Sequence, residues 1–585
     1  MVKNAFLVCM GGSGHKLLEA LIHMAAMGVL EFETLHALVV DTDSGNGNSV
    51  RTDGLLKDYE KIRERASLFE LKHPERWFRT KIIQYTWSPV ADYVDRNATL
   101  AALIGNNQDA QMIARLLYSQ KEMDLKINEG FRGSPNIGAL FLPRLLQDRL
   151  GADSSSSIQA FVEAVIQNGG TRILLAGSCY GGTGASGIPT VARYLRGNTY
   201  IRERVRFGAF VPLPTFNIKD DNGRVSEDGQ LHPDSKKFND KVKTVLRYYA
   251  QDGDVLGGLE DGGESLYHIM YLLGFFKRTF VPRADGKKAQ KNPATIFDWL
   301  GCQAVQQFFC TDIGSGAEGV YTDSIHDATW NWEIFSNEVF PNIRMSATLM
   351  LQTAAVYLSE VHTQIRAQSD NVKSYKKQQK QFPFLSAYFS RIDRNKMTIV
   401  WNTLKPFADY LRAFSIWIFE IMNNLPEQFP ESTPSQSEID SLNKFHAIKE
   451  RDTMDEQYNS LKRQKMIPRY MLFKLYQESI KTMLQDVIKN DRQADDEQVD
   501  IPEIPEIWKD EEYRSLSASV DLFTEHTFNQ GVTSAILMGR TQNYPAYHKD
   551  DMYTAPNMED PADAGWALAI NLMRAVWVEA PKEED

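Results

Sequence analysis

Cysteine is scarce. The 585 residues contain four, at positions 9, 179, 302 and 310, with no C-x-x-C pair. That excludes a disulfide framework and argues against a structural zinc site; it suits buried, reduced thiols in the cytoplasm. Long apolar runs are also missing. The best stretch, LRAFSIWIFEIM (411–422), is short and carries Glu420, so no membrane span is expected. The opening MVKNAFLVCMGG becomes glycine-rich too early for a signal peptide. Basic charge is not in excess: 65 Lys and Arg stand against 76 Asp and Glu, a net charge of −11. Direct nucleic-acid binding is therefore not expected. No internal repeat is visible.

What is present fits a soluble globular chain long enough for two to four domains. NAFLVCM, LHALVVD, TRILLAG and VRFGAFVPLP read as buried strands. HKLLEALIHMAAMGVL, IQAFVEAVIQNGG and IPTVARYLRG read as helices between them. Continuous apolar strands alternating with helices predict an α/β fold with a parallel sheet covered on both faces. Ligands of such sheets bind at the carboxyl ends of the strands. From about residue 336 long helical patterns take over, broken by polar and proline-punctuated stretches. The expected organisation is an α/β nucleotide domain over 1–290, a central helix and loop over 291–335, a mostly helical region over 336–500, and a C-terminal region with an acidic tail over 501–585. The basic run Lys373–Lys380 reads as a solvated face or a docking patch for an acidic partner.

Three glycine loops carry the chemistry. After RILLA comes GSCYGGTGASG (177–187), where small residues let main-chain N–H groups approach a phosphate or simply make a tight turn. The first strand ends in CMGGSGHK, the position of a phosphate loop, although it is neither G-x-G-x-x-G nor a Walker loop. The second ends in VVDTDSGNGNSVRT, whose Asp41 and Asp43 suit Mg²⁺ or a turn-and-cap cluster. A third loop, GFRGSPNIGA (130–139), could wrap an anion, with Arg132 adding charge or pairing with a surface acid.

Together these segments resemble the tubulin/FtsZ superfamily. YGGTGASG is similar to its G-G-G-T-G-[ST]-G signature, with Tyr180 in place of the first glycine. VVDTDSGNGNSVRT resembles V-D-L-E-P-x-x-x-D-x-V-R, and GFRGSPNIG resembles G-x-G-x-x-P-x-x-G. FVPLP (210–214) and FND (238–240) follow in the family's order, over roughly the first 300 residues. The resemblance implies a GTP or GDP site. Its phosphates would be held by Gly11, Gly12, Ser13, Gly14 and His15, by Arg132, Gly133 and Ser134, and by Gly181, Gly182, Thr183, Gly184 and Ala185. Mg²⁺ would lie near Asp41 and Asp43. Asn292, before a helical run, would read guanine, or else cap the helix with Pro293 in its first turn.

In the family an acidic loop after the central helix completes the site of the next subunit. Here TDIGSGAEGVYTDSIHDATW (311–330) offers Asp323 and Asp327 as the best candidates, without the family's spacing, and Glu318 as a third. The implied function is a GTPase that assembles head to tail into filaments. The alternatives are a tubulin-fold scaffold that holds nucleotide without turnover, with a partner on its helical half, and a Rossmann-type dinucleotide enzyme using Asp41 at the ribose.

Overall fold

A computed structural model describes residues 2–424 and 555–578, apart from 44, 68–76, 90–98, 127–129, 150–156, 219–234, 252–254, 256–264, 276–277, 282–291, 312–318, 325–333, 337, 341–342, 363–364 and 366–387. Glu318, Asp327 and the basic run Lys373–Lys380 lie outside the described residues.

The predicted strands form. They are β1 (Val2–Met10), β2 (Phe32–Val40), β4 (Arg172–Ala176) and β5 (Arg206–Pro212), and the sheet adds β3 (Lys81–Trp87), which the sequence pattern did not lead us to expect. A short strand β6 (Phe216–Ile218) follows, then β7 (Ile269–Gly274), β8 (Thr279–Val281) and β9 (Gly319–Ser324). Seven build one parallel sheet in the order β3-β2-β1-β4-β5-β7-β9. Val8 lies level with Leu38 on one side and Leu175 on the other. β6 and β8 pair separately.

The period of two along β1 feeds two cores. Ala5, Leu7 and Cys9 join one, and Phe6, Val8 and Met10 the other. All six are at most 1% exposed, which is why the strand reads as an unbroken apolar run.

The first core lies under α1 (Gly11–Ala26) and α2 (Gly47–Ser67). Three short helices follow in chain order, α3 (Leu100–Ile104), α4 (Gln108–Leu117) and α5 (Gln120–Met123). They pack with α6 (Pro135–Arg149) on a small core of their own. The second face of the sheet is covered by α7 (Ser157–Gln167), α8 (Gly182–Arg196), α9 (Thr199–Arg204) and α10 (Phe238–Gln251). The central helix α11 (Ile296–Cys310) returns to the first face. Its carboxyl end sits at the start of β4, where the Arg172 guanidinium donates to the carbonyls of Phe308, Phe309 and Thr311 at 2.7, 3.3 and 2.7 Å. A cation there complements the helix dipole.

The helices α12 (Ile343–Val356), α13 (Met397–Asn423) and α14 (Pro561–Val578) stack outside α1, α2 and α11. Their buried side chains are continuous with the first core. α1 is therefore buried on nearly all sides. His23, near its end, sits among Tyr410, Phe414 and Trp417 of α13. No helix among the described residues is long and apolar enough to cross a membrane. All four cysteines are free thiols.

Candidate functional site

The chain reverses its direction across the sheet between β1 and β4, and a cleft opens there at the carboxyl ends of the strands. This is the topological switch point at which open α/β sheets bind ligands.

Its floor is main chain. β1 passes directly into α1 at Gly11, so the glycines expected to form a loop are the first turn of a helix. Gly11 has φ +63°, a left-handed conformation that side chains strain to adopt. β4 reaches α8 across residues 177–181, with Gly181 in extended backbone at the cap position. Neither helix has a hydrogen-bonding side-chain cap, nor an acid in its first turn. Unshared N–H groups at two helix starts therefore meet in one cleft.

The third loop closes against the second. A Cβ on Gly182 would sit 2.5 Å from the Phe131 Cβ and 3.2 Å from the Ser134 nitrogen. This glycine is small because two loops touch there. Thr42 and Thr183 hydroxyls lie 3.4 Å apart and bridge the end of β2 to the first turn of α8.

Gly11, Gly12, Ser13, Arg132, Gly133, Gly181, Gly182, Thr183 and Gly184 line the cleft, as do Asp41, Asp43 and Asn292. Four expected phosphate contacts do not. Gly14 packs on the Cys9 backbone, where a Cβ would be 2.5 Å from a carbonyl carbon. His15 is 1% exposed and lies beneath Asp41, with Nε2 3.5 Å from Oδ2. Ser134 closes its own turn by donating N–H to the Phe131 carbonyl at 2.8 Å. Ala185 is inside α8, its carbonyl accepting the Tyr249 hydroxyl at 2.7 Å. A helix turn carries Gly14, His15 and Ala185 away from the cleft.

The two aspartates already serve the turn. Asp41 accepts the Asp43 N–H at 3.1 Å and the Asn46 amide at 3.4 Å, and Asp43 accepts the Gly45 N–H at 3.2 Å. Both still line the cleft. Among the described residues no cluster of three or more His, Cys, Asp or Glu is arranged to hold a metal ion. A Mg²⁺ here would take most of its ligands from phosphate and water, as this ion commonly does.

At the opposite end the cleft is built from side chains. Asn292 is not the helix cap. Thr295 caps α11, because Asp298 three residues on accepts both its N–H and its hydroxyl, at 2.7 and 2.8 Å. Asp298 also pairs with Lys16 at 2.9 Å. Asn292 stands before the cap and exchanges hydrogen bonds with Asn48. The Asn48 amide donates to Asn292 Oδ1 at 3.0 Å, and the Asn292 N–H donates to Asn48 Oδ1 at 2.8 Å. Arg51 donates to the Asn292 carbonyl at 3.0 Å and pairs with Glu19 at 2.7 Å and Glu420 at 3.6 Å. Burial works against the charge on Arg51, and these two carboxylates outweigh it and raise its pKa. Burial pushes Glu19 up, opposed by Arg51. Glu420 also accepts the Ala294 N–H at 2.7 Å, which ties α13 to this wall.

The chain matches no protein-family model, no curated protein and no solved structure. Function is therefore argued from the site itself.

The site also holds residues whose role the sequence did not signal. Tyr180, the departure from the glycine signature, packs on Phe238 with ring centroids 4.9 Å apart and on Phe216 at 5.8 Å. Burial raises its pKa, with Asp298 adding to the shift and Ser13 and Ser178 hydrogen bonds opposing it. The three rings form an aromatic wall beside the glycine loops. Asp323 lies in β9 level with Leu273.

Proposed function

We propose that the cleft binds a guanine nucleotide with Mg²⁺, and that the protein is a tubulin/FtsZ-like GTPase that self-associates head to tail. The observation that carries this reading is the meeting of two uncapped helix starts, those of α1 and α8, with the Asp41–Asp43 turn and Asn292 in one cleft. Two carboxylates beside a phosphate chain would repel it. A divalent cation between them turns that repulsion into attraction.

Hydrolysis needs a group that polarises water. The acids lining the cleft are Asp41, Asp43 and Asp298, each already accepting hydrogen bonds from its own turn or cap. A second copy stacked head to tail would deliver its acid from the sheet end away from its own cleft. α11 ends at that far end, against the start of β4. Asp323 stands near the carboxyl end of β9, which in a parallel sheet is the cleft end. This favours Glu318, between α11 and β9 in sequence, over Asp323 and over Asp327 beyond it.

The test is turnover against protein concentration. GTPase activity per molecule is expected to rise with concentration, and Glu318→Gln to slow it by about 10²-fold, the scale of a lost general base, with GTP binding intact. Asp323→Asn should leave it nearly unchanged. Activity independent of concentration would remove self-assembly from the account. GTP bound and retained would favour the scaffold. A second reading, a dinucleotide enzyme, draws on the strand order, since β3-β2-β1-β4-β5 is also that of dinucleotide-binding sheets. It requires NAD(P) to bind ahead of GTP.

A further inference from the structure

The Asn48–Asn292 pair decides more than packing. Asn48 is 1% exposed, on the first turn of α2. Its backbone is fixed on both sides: its N–H donates to Asn46 Oδ1 at 2.8 Å, and its carbonyl accepts the Thr52 hydroxyl at 2.8 Å. A backbone N–H can only donate, so the Asn292 N–H requires the oxygen of the Asn48 carboxamide to face it. The Asn48 NH₂ must then lie on the other side, where it needs an acceptor. That acceptor is Asn292 Oδ1. With its oxygen held there and its carbonyl held by Arg51, the group that Asn292 has left is its Nδ2 amide, for which no partner exists among the described residues.

We propose that Asn48 is the specificity-determining residue of the cleft: it locks Asn292 with a donor toward the ligand, which selects a purine bearing a carbonyl at C6. Guanine offers an acceptor at O6, whereas adenine offers an amino donor at N6 that would oppose the Asn292 donor. The selection is thus for 6-oxopurines, guanine and hypoxanthine alike, rather than for the 2-amino group of guanine. Arg51 and Glu420 are positioning residues: through the Asn292 carbonyl and the Ala294 N–H they hold the same loop from α2 and α13. The inference rests on the guanine reading above, and its test separates the two.

The full-length protein is titrated with GTP, ITP and ATP in Mg²⁺, as wild type, Asn48→Asp and Asn292→Asp. Asn48→Asp keeps the acceptor for the Asn292 N–H but replaces the donor by a second oxygen. The Asn292 amide must then turn its NH₂ toward the new carboxylate and its oxygen toward the ligand. Wild type is expected to bind GTP and ITP within about threefold of each other and at least about tenfold ahead of ATP, the worth of one made against one opposed hydrogen bond. Asn48→Asp is expected to bring ATP level with GTP or ahead of it. Asn292→Asp, which places acceptors on the cleft without touching the buried residue, should do the same if Asn48→Asp fails to fold. A wild type that prefers ATP, or binds no purine triphosphate, overturns the guanine reading. A wild type that prefers GTP together with variants that keep the full preference overturns this inference alone. GTP preferred over ITP by more than about tenfold also overturns it, because the 2-amino group would then be what is read.

Discussion

At one end of the cleft the wall is main chain, and at the other it is side chain. The glycine end is made by the starts of two helices and one loop pressed against the second of them, with contacts such as Gly182 against Phe131. The asparagine end is made by residues 244 positions apart, Asn48 and Asn292, clamped by Arg51 and Glu420. A main-chain wall offers N–H groups in fixed directions and suits phosphate, whose recognition needs charge and little shape. A side-chain wall can choose which donor or acceptor it presents and suits a base. The first tolerates no added atom, and the second can be retuned by one.

The largest expected effect tests the first wall. Gly184→Ala would place a Cβ 2.6 Å from the Ser178 carbonyl oxygen and 2.8 Å from its nitrogen. Backbone must move, so nucleotide binding should be lost and the fold weakened by about 1–3 kcal/mol in a denaturant titration. Gly45→Ala is the control: its nearest neighbour would be Asp43 Oδ1 at 3.8 Å, an ordinary contact. Equal effects of the two would mean that close approach is not why the loop is glycine.

The next tests the metal. Asp41→Asn with Asp43→Asn should weaken Mg²⁺-supported GTP binding by about tenfold or more, with little change in EDTA. An unchanged Mg²⁺ titration would leave these residues as turn acceptors alone. A smaller effect is expected from Glu420→Gln, which keeps the shape of the clamp but removes its charge. The preference for GTP over ATP should fall about threefold, with the melting temperature nearly unchanged, since coupling through one linked pair is commonly about 0.5–2 kcal/mol.

A pH effect at the far end of α1 tests the packing behind the cleft and neither wall directly. Burial, and secondarily Arg51, push His23 down to about 3. Between that value and the ordinary 6.5 the unfolded chain binds a proton that the folded chain does not, so stability falls as pH drops below about 6.5. His36, lowered to about 4 by burial and Lys81, acts in the same direction. Asp58 acts oppositely. Burial and Asp409 raise it to about 6, so between 3.8 and 6 the folded chain keeps a proton that the unfolded one releases. Urea midpoints from about pH 4.5 to 7.5 should therefore flatten in His23→Gln and steepen in Asp58→Asn.

The contrast between the two walls also explains what could be read in advance. β1, β2, β4 and β5 were legible because strands buried on both faces are contiguous apolar runs, and the glycine segments were legible because a main-chain wall is written in consecutive residues. Their exact contacts were not. Gly14 and His15 follow Gly12 in sequence, yet a helix turn carries them behind the site. Asn292 was legible as a residue of interest but not as a partner of Asn48, because nothing local marks a pair joined only when α2 and α11 pack on the same face. The Thr295–Asp298 cap was written at its proper spacing, and the Asn–Pro pair beside it drew the helix start three residues too early. Glu420 carried no signal except its presence in an apolar helix, where a charge needs a partner.

The measurement that tests the central claim most directly is amide hydrogen exchange on the full chain, with and without Mg²⁺ and GTP. A single nucleotide spanning both walls should slow exchange together at residues 11–16, 130–134 and 178–184 and around Asn292. GTP should do so at concentrations where ATP and NAD do not. Protection confined to one loop, or equal protection by ATP or NAD, would contradict the claim that these segments form one guanine-nucleotide site.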